Sequence, residues 1–313
     1  MKQIKRFIID PVVATLVILF GTILWLLPLR LASSIGGWIG RKIGPRMPVT
    51  RIARENLRLA FPDRSDEAIE TIISKIWDNL GRTMFELPHL RRVILERVTV
   101  IGGEAILPII SAGQNLIFVG GHLGNWEIHG PILSHQFGRV NLAYRALNNP
   151  ILDWVLGRRR GGLVWRMIPK GASGMRKMIT HLSEGESLGI LFDQKLNNGI
   201  AVPFMGRMAM TTPAPALFAQ RYGAPLVVTT VRRLPGVRFE ISFKPPITVA
   251  KPQDRVAAEK QQLEIMAQLN DELGNWILDN PEQWLWLHRR WGKNTVATPA
   301  TAEEKSVMIK KSA

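Results

Sequence analysis

Asn115-Leu-Ile-Phe-Val-Gly-Gly-His-Leu-Gly-Asn-Trp-Glu127 is the stretch from which the fold can be read. Leu116 to Val119 is a short apolar, β-branched and aromatic run of the kind that forms a buried strand. It stops at Gly120-Gly121, where the backbone can turn sharply. His122 follows at once, Glu127 comes five positions later, and Ile128 to Phe137 has enough apolar residues to form a helix that packs back on the strand. An imidazole and a carboxylate are therefore expected at the carboxyl end of a strand, where open α/β sheets build their sites.

Such a pair suits the removal of a proton from a hydroxyl, so that the oxygen can attack a carbonyl. The ordinary pKa of His lies near physiological pH, and a nearby Glu can hold the ring in the required tautomer and stabilise the imidazolium that forms. No Ser or Cys nucleophile is needed, because the acceptor substrate supplies the oxygen. The chain has no cysteine, which excludes a cysteinyl acyl-enzyme. Taken alone, His-x4-Glu is better read as a strand-end histidine bonded to a carbonyl, beside an ordinary first-turn acid.

With 313 residues, 46% of them hydrophobic, the chain can bury a sizeable core. Lys and Arg number 41 against 25 Asp and Glu, a formal charge of +16 that points to a polyanionic partner, either nucleic acid or an anionic membrane with its phosphorylated lipids. The amino terminus favours the membrane. Pro11 to Leu29 carries no charge and as a helix would reach about 28 Å, enough to cross a bilayer core. Residues 30–48 alternate Gly, Ile, Trp and Arg, a composition suited to the lipid interface. Residues 1–48 are thus read as membrane anchor and interfacial segment, residues 49–292 as the catalytic domain, and residues 293–313, which lack apolar period, as a disordered tail.

Further along, Asp66 to Glu86 carries a helical apolar stripe and Leu188 to Phe192 reads as a buried strand ending at Asp193-Gln194. Leu226 to Arg233 and Arg238 to Phe243 form a hairpin around Pro235-Gly236. The fold class is α/β, a mixed central sheet flanked by helices, with an amino-terminal membrane helix. His129 and His135 follow His122 at helical positions, but without neighbouring carboxylates or thiols they make no metal site.

Residues 122–127 resemble the His-x4-Asp/Glu motif of the lysophospholipid acyltransferase superfamily. Asn56, Ala60, Phe61 and Pro62 are similar to its Asn-x-x-x-Ala-Phe-Pro signature. Tyr144-Arg145, Asn149-Pro150, Asp153 and a downstream arginine are similar to its second motif. Asp193-Gln194, the loop Pro203-Phe204-Met205-Gly206 and the closing Trp286-x-His288-x-Arg290-Trp291 also match. With Glu in the second place, roughly residues 1–292 resemble the late acyltransferases of lipid A biosynthesis.

The resemblance implies transfer of a fatty acyl group from an acyl-carrier-protein thioester to a hydroxyl of a membrane glycolipid, with no cofactor and no metal. His122 would be the base, Glu127 its orienting partner and Asp193 an aid to donors or arginine. By spacing, Arg160 best fits the arginine near the pair, within a triplet that includes Arg158, and Arg145 and Asn125 join them on the substrate. Acyl carrier protein, a lipid acceptor and an anionic membrane surface are the expected partners, rather than nucleic acid. The expected place is the cytoplasmic face of a bacterial inner membrane. Two other readings fit: the same chemistry on a mannosylated phospholipid, ornithine lipid or lysophospholipid, and a catalytically inactive membrane-anchored binding protein. The Pro203–Gly206 loop is read as one wall of the acyl or acceptor pocket.

Overall fold

The computed structural model describes residues 9–292, apart from the side chains at positions 156 and 158–161. Its first helices are α1 (Asp10–Leu26) and α2 (Leu29–Ile43), separated at Pro28, whose fixed φ and missing N–H end the first helix and start the second. The stretch expected to run unbroken from 11 to 29 is therefore a helix of 17 residues followed by a break. Among the described residues no helix is long and apolar enough to cross a membrane. α3 (Thr50–Ala60) leads to α4 (Asp66–Glu86), whose first turn is capped by Ser65 accepting from the Ala68 N–H at 3.2 Å. α2 lies along α4 with the backbones in contact, and a Cβ on Gly36 would strike the carbonyl of Gly81.

After α5 (Leu90–Glu96) come β1 (Val98–Ile101), α6 (Leu107–Ser111) and β2 (Ile117–Gly120). The chain continues through α7 (His129–Phe137), β3 (Val140–Tyr144), α8 (Pro150–Gly161), β4 (Arg166–Pro169), α9 (Ala172–Ser183) and β5 (Ser187–Leu191). It then forms β6 (Ile200–Phe204) and β7 (Arg207–Thr211), α10 (Ala214–Tyr222), β8 (Leu226–Leu234), β9 (Arg238–Phe243) and α11 (Arg255–Asp279). Seven strands make one sheet in the order β1-β9-β8-β2-β5-β3-β4, parallel throughout except for the antiparallel pair β8–β9. The expected mixed sheet and the hairpin at 234–238 are both present.

β2 is buried at every position, as a parallel strand covered on both faces must be. One face packs on α3, α4, α9, α10 and α11, through residues such as Ile73, Ile76, Leu182, Ala219 and Leu269. The other packs on α5 and α7, through Val93, Ile132, Leu133 and Phe137. From β2 the chain moves to β3 and β4 on one side and returns to β8 and β9 on the other, so the carboxyl end of β2 lies at the point where the winding reverses.

The segment around Pro203 differs from expectation. It is a two-stranded hairpin, β6–β7, whose turn residues Met205 and Gly206 have φ of 48° and 73°, as a tight two-residue hairpin turn requires. Val202, Phe204 and Met205 point into the core against α11 and do not line the cavity described below.

Candidate active site

β2 and β5 are parallel neighbours, paired Gly120 to Leu191, so the residues just beyond their carboxyl ends meet. Asp193 accepts from the His122 backbone N–H at 2.8 Å and, through its other oxygen, from the His122 ring Nδ1 at 2.8 Å. A third donor comes from far along the chain: Trp284 Nε1 gives its hydrogen to Asp193 Oδ2 at 2.8 Å. Asp193 has no exposed surface. Burial alone would push its pKa up, but the charge of His122 and the hydrogen bonds from its ring and backbone outweigh burial and hold the carboxyl well below the usual range. An ionised Asp193 on Nδ1 fixes the proton there and leaves Nε2 as the basic nitrogen.

The carboxylate on the imidazole is therefore Asp193, where Glu127 was expected. Glu127 is the middle residue of a short 3₁₀ turn, Trp126–Ile128, and lines the same cavity as His122. Asn125, expected on the substrate, is instead buried, and it accepts from the Glu127 N–H at 3.2 Å while donating to Glu86 Oε2 at 2.8 Å. Glu86 is 1% exposed and pairs with Arg233, whose guanidinium also reaches Asn79 and Thr83. Asn79 in turn donates to the Gly124 carbonyl at 2.9 Å. Gly124 has φ +54°, and a Cβ there would lie 2.6 Å from the Val231 carbonyl, so glycine is required. The loop from 122 to 127 is thus held from behind by a buried ionic cluster.

From the other side it is held by the closing Trp-rich segment. Gly124 N donates to the Gln283 carbonyl at 2.8 Å, Leu285 N donates to the His122 carbonyl at 3.1 Å, and Leu123 and Trp284 form a β-bridge. Arg290, fully buried, donates to Met210 O, Thr211 Oγ1 and Asn270 Oδ1, tying this segment to β7 and α11. Trp284 could have been suspected from its indole N–H, which needs a partner when buried. Nothing local in the sequence names that partner.

His122 and Glu127 open on a cavity of about 460 Å³. One part is an apolar slot between α7 and the sheet, walled by Leu133, Leu142, Val164 and Ile190. Gly130 and Gly189 make room for the Leu142 side chain in that wall, since a Cβ at either would press on its methyl groups. The rim carries Arg145 and Lys170. Arg145 was expected near substrate, whereas Lys170 was not foreseen, although a cation directly after a strand end is a readable signal. Arg158 and Arg160 lie on α8, and their side chains are outside the described residues. His129 also lines the cavity, 5% exposed, with no well-aligned partner for either ring nitrogen. His181, Glu184 and Glu186 could in principle hold a metal, but Arg166 already donates to Glu186 at 2.7 Å, and the cluster lies at the opposite end of β5 from His122.

A buried aspartate holding a partly exposed histidine at adjacent parallel strand ends, with a further carboxylate and an apolar wall lining the same cavity, suits acyl transfer by an α/β enzyme. Comparison with known proteins gives the particular kind. The chain belongs to the bacterial lipid A biosynthesis acyltransferases, whose family profile matches residues 2–293. It is 27% identical to the lipid A biosynthesis lauroyltransferase of Escherichia coli K12 over 293 residues, 89% of this chain and 92% of the relative. It is 26% identical to the palmitoleoyltransferase of the same organism, over 86% of this chain and 88% of that one. A lipid A biosynthesis acyltransferase of Haemophilus influenzae is 23% identical over 86% and 84%.

Proposed function

We propose that the protein transfers a fatty acyl group from an acyl-carrier-protein thioester to a hydroxyl of a phosphorylated lipid A precursor, at the cytoplasmic face of the bacterial inner membrane. The observation that carries the reading is His122, with Nδ1 held by Asp193 and its ring facing a cavity that continues into an apolar slot. Nε2 takes the proton of the acceptor hydroxyl as its oxygen attacks the thioester carbonyl. The tetrahedral intermediate then collapses, the C–S bond breaks, and the imidazolium returns the proton to the departing sulfur. Base catalysis of this kind supplies roughly 10²–10⁴ in rate. Glu127, beside the imidazole in the cavity wall, stabilises the imidazolium and steers the hydroxyl.

The acyl chain lies in the slot, with Leu142 setting how far it reaches. The role proposed for Arg158 and Arg160, from the resemblance of the sequence alone, is to bind a phosphate or the oxyanion. The lauroyl and palmitoleoyl donors named for the two Escherichia coli relatives belong to those proteins, and the slot takes a chain of this chemical class here. Exposed apolar side chains on α1 and α2, among them Leu16, Phe20, Trp25, Leu31, Trp38 and Ile43, rest in the membrane surface, with basic side chains at headgroup level. The charge of +16 steers an acidic carrier protein and a phosphorylated acceptor to the enzyme.

The test is a transfer assay in membranes containing the protein, with radiolabelled tetra-acylated, Kdo-bearing lipid A precursor and carrier proteins loaded with chains from decanoyl to hexadecanoyl. Product formation that vanishes in Glu127→Ala is the expected result. No product with any chain, while the same preparation acylates another lysolipid or glycolipid, would overturn the acceptor and leave the acyltransferase class.

A further inference from the structure

Lys170 has no role in the transfer step proposed above, yet it stands in the wall of the same cavity. It is the first residue beyond β4, and its backbone N–H donates to the Tyr144 carbonyl at 2.7 Å, which carries the β3–β4 pairing one rung further. Arg145 is the first residue beyond β3 and lines the same cavity. Two cations are therefore delivered side by side by the carboxyl ends of neighbouring parallel strands, the end of the sheet that also carries His122 and Asp193.

Among the described residues no carboxylate forms an ion pair with either cation. Asp193, whose charge reaches Lys170, is already shared between His122 and Trp284. Asp153, also in the cavity wall, accepts from the Tyr144 hydroxyl and the Leu147 N–H. Desolvation first, and the charge of Arg145 next, push the Lys170 pKa below the ordinary lysine value, against the pull of Asp193. Like charges held together with no carboxylate paired to either of them are offset when a multivalent anion sits between them, and an ammonium beside a guanidinium suits phosphate oxygens.

We propose that Lys170 and Arg145 form a phosphate-binding subsite at the rim of the catalytic cavity. The phosphate belongs to the acceptor lipid or to the phosphopantetheine arm of the donor. The rim borders the part of the molecule that exposes apolar surface: Asn149, at the start of α8, donates to the Asp10 carbonyl of α1 at 2.9 Å, and Leu147 lies in the cavity wall nearby. A phosphate carried at headgroup level would thus arrive beside the two cations. The inference rests on the acyl-transfer reading for the identity of the ligand, but not for the existence of the subsite.

The experiment measures equilibrium binding to the full-length protein in detergent, independently of turnover, with two probes: a bis-phosphorylated glucosamine disaccharide lipid with its dephosphorylated counterpart, and pantetheine 4′-phosphate with pantetheine. Wild type, Lys170→Ala and Lys170→Arg are compared, and acyl transfer is followed in the same preparations. The expected result is at least a tenfold weakening by Lys170→Ala, about 1.4 kcal/mol, for a phosphorylated probe, absent for its phosphate-free counterpart and largely restored by Lys170→Arg. The probe that responds identifies the source of the phosphate. Lys170-dependent binding without transfer would count against the acyl-transfer reading and support the subsite. Equal affinities of wild type and Lys170→Ala for both phosphorylated probes, or no binding of either by wild type, would overturn it.

Discussion

Asp193→Asn separates the two carboxylates that compete for the role of orienting the base. Three donors converge on Asp193: the His122 N–H and Trp284 Nε1 on Oδ2, and His122 Nδ1 on Oδ1, each at 2.8 Å. An amide offers one oxygen. Placed at the Oδ2 position it satisfies two donors, and its NH₂ then faces Nδ1, which must become an acceptor. The ring proton moves to Nε2, and the base is blocked. The loss is the whole general-base contribution, roughly 10²–10⁴ in kcat, or about 2.7–5.4 kcal/mol of barrier. The same swap in Ser-His-Asp proteases costs about 10⁴. Because Asp193 is wholly buried and absent from the cavity wall, KM for donor and acceptor should stay within about threefold. Initial rates at saturating substrates measure this, with circular dichroism to confirm folding. A folded Asp193→Asn enzyme that keeps more than about a tenth of kcat refutes the tautomer argument, since base catalysis is worth far more than that. If Glu127→Gln removes activity while Asp193→Asn keeps it, Glu127 and not Asp193 prepares the base.

Trp284→Phe removes one donor and keeps the ring edge-on to Trp286, so stability should fall by about 1.5–3 kcal/mol while kcat falls less than in Asp193→Asn; equal kcat losses would contradict the ranking. Glu86→Ala strands the Arg233 guanidinium behind the catalytic loop and should cost about 3–5 kcal/mol in thermal unfolding, and a loss below about 1 kcal/mol would show that the cluster does not hold the loop. Leu142→Ala deepens the slot and should shift donor preference to longer chains by about fourfold per added carbon, from about 0.8 kcal/mol per methylene; Gly189→Ala should shift it the other way, and an unchanged chain profile in both would remove Leu142 from the slot floor. Burial pushes His129 down to about 4, against the nearby Thr229 and Trp126 carbonyls. Its neutral form therefore stabilises the fold fully above the ordinary pKa of about 6.5, and that contribution is lost as pH falls toward 4, roughly 3 kcal/mol in all. His129→Phe should flatten this part of the stability–pH curve, and an unchanged slope would show that His129 does not titrate this way.

The strand, the glycine turn and the histidine of residues 116–122 were legible because every cue is local: a buried apolar run, a flexible stop, a titratable group. Asp193 was legible as a strand-end acid but not as the partner of His122, since the choice between two carboxylates depends on β2 and β5 being adjacent and in register, which no local pattern encodes. The same limit hid Trp284 and the Glu86–Arg233 cluster, whose contacts span 91 and 147 residues. Pro203 misled in another way. Proline argues against a central strand, but here it sits on a two-stranded ribbon, where a missing N–H is tolerated. At the amino terminus a count of uncharged residues could not register the break at Pro28.

Gln283, Trp284 and Leu285 clamp the loop that carries His122, and they are made some 160 residues after it. In a chain growing from its amino end, the base, its carboxylate and the slot emerge first, and the donor that completes the Asp193 shell emerges near the last. A ribosome-bound or prematurely ended chain halted before Gln283 is expected to lack a poised imidazole, so it would neither squander activated thioester nor acylate a stray hydroxyl. Competence to react is therefore expected only once Trp284 has been made, and a nascent chain stalled by release-defective translation, assayed for thioester cleavage at lengths on either side of Trp284, would reveal the moment at which it appears.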